Sequence, residues 1–237
     1  MIPAVKILGM IGGISPESTV DYYRSIIETY WRRKPDGSYP RIIINSIDLT
    51  TLVDLVQAPE PDGLIEFLAR EVGVLARAGA DFALMAANTP HIVFEDVRAR
   101  SPIPMISIVE ATCQAARSLG VSRVGLLGTR FTMHGGFYQD VFAREGMTLA
   151  VPAEEDQEYI HEKYMGELVK GVFLPQTREK LVAIARRLER QAGIQALILG
   201  GTELPLILRD AKIDGLPVLD TSRIHVEAAV EALLAEP

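Results

Sequence analysis

The stretch Phe82-Ala83-Leu84-Met85-Ala86-Ala87-Asn88-Thr89-Pro90-His91 decides the fold, because Ala196-Leu197-Ile198-Leu199-Gly200-Gly201-Thr202-Glu203-Leu204-Pro205 repeats its plan. Each is a short apolar run that breaks into small residues, then a hydroxyl, then a proline near an expected helix start. A strand-to-helix junction of this kind aims backbone N–H groups at one spot, where a carboxylate or phosphate can sit. Two of them suggest one ligand held between two similar halves.

Outward from these stretches, apolar runs alternate with amphipathic segments. The predicted strands are Lys6–Ile11, Arg41–Ser46, Phe82–Ala86, Met105–Val109, Arg123–Leu127, Thr148–Val151, Ala196–Leu199 and Pro217–Leu219. They are short and rich in Ile, Val and Leu, as parallel strands covered on both faces should be. Helical patterns lie between them. Ser15-Pro16 opens one, with serine as cap and proline in the first turn, and Pro35-Asp36-Gly37 ends it. A second runs from Asp62 to Ala78 with Gly79 as its stop, and Gln176–Gln191 forms a third. The alternation predicts an α/β fold with mainly parallel sheets. Gly12 and Gly128 are 116 positions apart, and Ala87 and Gly201 are 114 apart. These offsets fit two copies of one α/β unit; a single sheet with generic strand-end glycines is the alternative.

Composition narrows the function. The chain has 237 residues, 48% of them hydrophobic and 23% charged, which describes an ordinary globular protein. A net charge of -7 without a basic stripe argues against nucleic acid as a partner. Arg186, Arg187 and Arg190 read as a solvated helix face. No apolar run approaches the ~20 residues of a membrane span. The opening Met1–Val5 runs toward a strand without a basic leader, so a cytoplasmic location is expected. One cysteine, Cys113, excludes an intrachain disulfide, and its place in a helix marks it as a buried inert thiol. His91, His134, His161 and His225 have no ligand spacing, so no metal is expected.

Several motifs together resemble the aspartate/glutamate racemases, within the aspartate/glutamate/hydantoin racemase superfamily. They are Gly12-Gly13-Ile14-Ser15-Pro16-Glu17-Ser18-Thr19, Ala87-Asn88-Thr89-Pro90-His91 and Leu126-Leu127-Gly128-Thr129-Arg130-Phe131-Thr132-Met133. Gly200-Gly201-Thr202-Glu203 and Pro217-Val218-Leu219-Asp220-Thr221, with Ile224 and His225, complete the set. The resemblance implies two flavodoxin-like parallel-sheet domains related by pseudo-symmetry, with the ligand cleft between them. The first domain would comprise residues 1–110 plus 220–237, and the second residues 111–219. The resemblance also implies an isomerase that needs no cofactor, acts on a small amino acid or dicarboxylate, and forms a homodimer. In that family one cysteine removes the α-proton while a second delivers a proton to the opposite face.

Here both cysteine positions are substituted, by Ala87 and Gly201. A thiol of pKa about 8.5 can be poised as acid or base, whereas a methyl group or a hydrogen cannot. The two-thiol mechanism is therefore excluded, and activity is expected to be altered or weak. An inactive binder or sensor of small carboxylates is the alternative. Candidate substitutes are His91, four residues past Ala87, and Glu203, two past Gly201; packing or support is the plainer role for each. The expected ligand-binding groups are Gln57, Asn88, Thr89, Thr129, Thr132 and Thr202. Asn88 and Thr89 could equally shape the turn and cap the helix. Relatives often carry a lysine near Glu158–Tyr159; Lys163, a turn further on, is the candidate to replace it.

Overall fold

The computed structural model describes residues 6–208, 213 and 215–235. The reading of residues 1–5 lies outside them. The strands are β1 (Ile7–Gly12), β2 (Arg41–Ser46), β3 (Phe82–Met85), β4 (Met105–Ile106), β5 (Arg123–Gly128), β6 (Thr148–Ala150), β7 (Ala196–Gly200) and β8 (Val218–Asp220). They form two four-stranded sheets with the orders β2-β1-β3-β4 and β6-β5-β7-β8. Every pairing is parallel. The same order in each sheet is the repeat that the two matching stretches announced, and the single-sheet alternative falls. The fold is α/β with two flavodoxin-like sheets.

The chain divides into two compact units, Met1–Ser107 with His225–Pro237, and Ile108–Ile224. In the first, strand alternation sends Leu8, Met10 and Leu84 to one face, against Tyr22, Ile26 and Tyr30 of helix Pro16–Arg33 and Val226, Ala229 and Val230 of helix Thr221–Leu234. Ile11, Ala83 and Met85 take the other face, against Leu64, Leu68, Val72 and Leu75 of helix Asp62–Arg77. The second unit follows the same scheme. Val124, Leu126 and Ile198 pack on Cys113, Tyr138 and Phe142. Leu127, Leu197 and Leu199 pack on Ile160, Tyr164, Leu181 and Ile184. Full coverage of both sheet faces explains why the strands read as near-continuous apolar runs.

One strand differs from its expectation. Of Met105–Val109 only Met105 and Ile106 pair with β3, and Ile108 starts helix Ile108–Ser118. Ser107-Ile108-Val109-Glu110 has capping-box spacing, and that local signal outweighs the apolar run.

The loop after β1 is closed tightly. Gly13 has φ 82°, and a Cβ there would lie 2.8 Å from Ile47 N. Its N–H donates to Thr19 Oγ1 at 2.9 Å, while Thr19 Oγ1 donates to Ser15 O at 2.9 Å. Ser15, the helix cap, is the only non-glycine residue with positive φ among the described residues. Gly13→Ala should lower unfolding stability by at least ~1–2 kcal/mol, from the φ penalty alone. Urea denaturation checks this, and an unchanged midpoint would refute the close-approach argument.

Candidate functional site

At the first junction, β3 ends at Met85 and a single 3₁₀ turn, Thr89–Val93, precedes helix Phe94–Arg100. Much of its backbone is already committed. Ala86 N donates to Ile11 O at 2.9 Å, Ala87 N to Met85 O at 2.8 Å, and His91 N to Asn88 O at 3.0 Å. Asn88 is buried at the cap position, but its side chain makes no capping hydrogen bond. Thr89 is half-buried. Ala87 is buried in the apolar cluster that contains Ile11 and Met85.

His91 lies within this junction as a packed side chain. It is 2% exposed and stacks on Phe94 with ring centroids 5.0 Å apart. Its Nδ1 donates to Ala87 O at 2.9 Å. Burial, with a smaller contribution from the neighbouring His225, brings its pKa down to about 3. A base that weak does not replace a thiolate at neutral pH, so the candidate role as base gives way to a structural one. His225 is buried beside it, with ring centroids 6.1 Å apart. Its Nε2 donates to Ile106 O, 3.1 Å away, so Nδ1 accepts from Tyr22 Oη, also at 3.1 Å. Burial lowers its pKa to about 4.

At the second junction, β7 ends at Gly200 and, among the described residues, helix Leu204–Leu208 follows. Leu204 N donates to Gly201 O at 3.1 Å, and Leu206 N to Glu203 O at 3.1 Å. The junctions also offer side-chain chemistry. Thr129 caps helix Arg130–His134, accepting from Thr132 N at 3.2 Å, and its Oγ1 lies 3.1 Å from Thr132 Oγ1. Thr202 Oγ1 donates to Glu203 Oε2 at 2.9 Å. Glu203, 1% exposed, also accepts from the Tyr164 hydroxyl.

Tyr164 is the residue that sequence reasoning missed. A Cβ built on Gly201 would lie 2.8 Å from Tyr164 Oη and 2.9 Å from its Cζ. Gly201 does not have positive φ, so its lack of a side chain answers to this ring and not to the backbone. A glycine where a side chain is expected hints that a bulky neighbour has taken the room. Nothing in the sequence, however, ties position 201 to a tyrosine 37 positions earlier.

The remaining candidates lie on other elements. Gln57 is the last residue of helix Leu49–Gln57 and is exposed. Lys163 is held by Glu167 at 2.5 Å, and Glu167 also accepts from Thr177 at 2.6 Å, so this lysine is engaged within its own helical region. Cys113 is 3% exposed, and burial pushes its thiol up to about 11. Among the described residues no cluster of His, Cys, Asp and Glu could hold a metal ion, and no helix is long and apolar enough to cross a membrane.

Comparison with known proteins agrees with this architecture. A profile of the Asp/Glu/hydantoin racemase family matches residues 11–229. The chain belongs to that family. It is similar to a putative Asp/Glu racemase from Yersinia pestis, at 32% identity over 97% of this chain and all of the other, with a TM-score of 0.87. An aspartate racemase homologue from Pyrococcus horikoshii OT3 is 35% identical, covers 97% of this chain and 100% of its own, and has a TM-score of 0.82. The broad specificity amino-acid racemase RacX of Bacillus subtilis is 23% identical over 96% of this chain and 98% of its own.

Two measurable consequences follow from the geometry. His91 and His225 are neutral in the folded protein, but the unfolded chain binds their protons near pH 6.5. Their stabilising contribution is full above pH 6.5 and is lost as pH falls toward 4 and then 3. The slope contributed by both should approach about 2.7 kcal/mol per pH unit between about pH 5.5 and 4.5. His91→Phe should roughly halve that slope in denaturant titrations; an unaltered slope would contradict the assignment. At the second junction, Gly201→Ala should destabilise the protein in the range of about 1–3 kcal/mol expected for overpacking. Tyr164→Ala in the same chain should make the alanine tolerable, as a double-mutant cycle would reveal.

Proposed function

We propose that this protein binds a small amino acid or related carboxylate without a cofactor, and that it does not carry out two-thiol racemisation. Gln57, Asn88, Thr89, Thr129, Thr132 and Thr202 are the groups assigned to the ligand. The observation that carries this reading is the state of position 201, where Tyr164 crowds the site of any side chain. Position 87 bears only a methyl group, and the one cysteine in the chain, Cys113, is buried with its acidity suppressed. A cytoplasmic homodimer is part of the same reading, and light scattering tests the dimer.

Binding should appear as mass-action stabilisation of about 2.7 kcal/mol at a ligand concentration of 100 Kd. A panel of amino acids and dicarboxylates should contain at least one member that raises the melting temperature. Thr89→Ala and Thr202→Ala should each weaken that binding by about 1.5–3 kcal/mol, the value of a hydrogen bond to a charged group. A panel that leaves the wild-type melt unmoved would remove the carboxylate-site reading. L-Aspartate and L-glutamate should remain enantiopure on incubation, far below the median enzyme turnover of about 10 per second. Rapid appearance of the D-isomer on chiral chromatography, unaffected by Cys113→Ser, would overturn the loss of racemisation.

A further inference from the structure

Gly201 and Tyr164 compete for one small volume, and the edge of the phenol ring holds it. A Cβ on residue 201 would meet ring carbon Cε2 first and would lie 2.8 Å from the phenol oxygen. The ring is fixed from below by the apolar cluster of Ile160, Leu181 and Leu204. Behind the oxygen stands the Glu203 carboxylate, which accepts hydrogen bonds from Tyr164 Oη and from Thr202 Oγ1. A core tyrosine needs only one ordinary acceptor to satisfy its hydroxyl, and a backbone carbonyl would suffice. Burying a carboxylate beside it is costly, and the hydrogen bonds that Glu203 accepts from Tyr164 and Thr202 offset that cost.

We propose that the Tyr164 hydroxyl moves a proton to and from the bound ligand, with Glu203 as the base acting through it. The assignment rests on the carboxylate-binding reading above. In the step, a C–H bond of the ligand breaks and its proton passes to the phenol oxygen. The phenol's own proton passes to Glu203, and the electron pair stays on carbon, delocalised into the adjoining carbonyl. Tyrosine is neutral before and after, so no phenolate has to form beside the buried carboxylate. Burial and the Glu203 charge, which hold the Tyr164 pKa well above its ordinary value, therefore do not oppose the transfer. Once the proton on Glu203 has exchanged with solvent, reversal returns a solvent hydrogen to the same face of the carbon. The result is hydrogen exchange without inversion.

The electron pair left on carbon selects the substrate class, because it must spread into a carbonyl that adjoins the carbon losing the proton. The α-carbon of an amino acid adjoins only a carboxylate, whose own negative charge opposes that spreading. A carboxylate in which a second carbonyl activates the same carbon, such as a 2-oxo dicarboxylate, is suited.

Oxaloacetate in deuterium oxide is the probe, with spontaneous exchange subtracted and the product trapped by reduction. The wild-type protein should accelerate deuterium entry at one of the two C3 hydrogens and leave L-aspartate unlabelled. Tyr164→Phe preserves the ring and should keep the oxaloacetate-induced shift in melting temperature while losing at least about 100-fold in exchange. Glu203→Gln should lose exchange similarly. Tyr164→Ala combined with Gly201→Cys should recover it, with a pH profile that rises as a thiolate forms near pH 8.5. The proposal is overturned if oxaloacetate shifts the melt but wild-type exchange stays at background, or if Tyr164→Phe exchanges at the wild-type rate. It is equally overturned if both C3 hydrogens exchange alike, or if the double variant binds without recovering exchange. If no acid of the panel shifts the melt, the carboxylate-site reading itself has failed, and this assignment falls with it.

Discussion

The structure depends on how closely backbone can approach backbone at the ends of its central strands. At Gly128 a Cβ would lie 2.7 Å from Gly200 O, and at Gly200 it would lie 3.0 Å from Leu127 O. Gly12 is similarly close to Thr19, at 3.0 Å from Oγ1. Side chains at these positions would push apart the parallel pairing that runs through Gly128 and Gly200. They would also lift the hydroxyl-bearing loops off the strand ends. Because the loops close down, Thr19 Oγ1 bonds backbone within its own turn and Thr129 Oγ1 accepts from Thr132 N, so the hydroxyl-bearing loops are anchored on rigid strand ends.

That constraint made much of the architecture legible in the sequence. Paired glycines at matching offsets, and apolar runs of strand length between amphipathic segments, were enough to anticipate two parallel α/β sheets. Ser15 before Pro16, and Gly79 after its helical stretch, marked ends because each signal acts within a few residues. The misread strand at Met105 failed for the same reason. The apolar pattern does not distinguish a strand from the first turn of a buried helix, and the local capping signal decided between them.

The candidate site was legible only where its chemistry was local. The absence of thiols at 87 and 201 could be read from two short motifs. His91 could not be assigned, because its character comes from Phe94 and His225 packing around it, the latter far away in sequence. Lys163 was offered to a ligand by its position on a helix, yet Glu167, one turn on, already holds it. Tyr164 was invisible because its meaning lies in a contact with Gly201 and Glu203 that no periodicity encodes.

The exchange of volume between Gly201 and Tyr164 also limits how this chain can change. A larger side chain at position 201 would meet the Tyr164 ring, so that change alone would destabilise the fold. Shrinking Tyr164 first would open a void among Ile160, Leu181 and Leu204 and leave Glu203 without the phenol's hydrogen bond. Each order of events passes through a less stable intermediate. Positions 164 and 201 therefore constrain each other, and change at this junction is stable only when the two sizes change together.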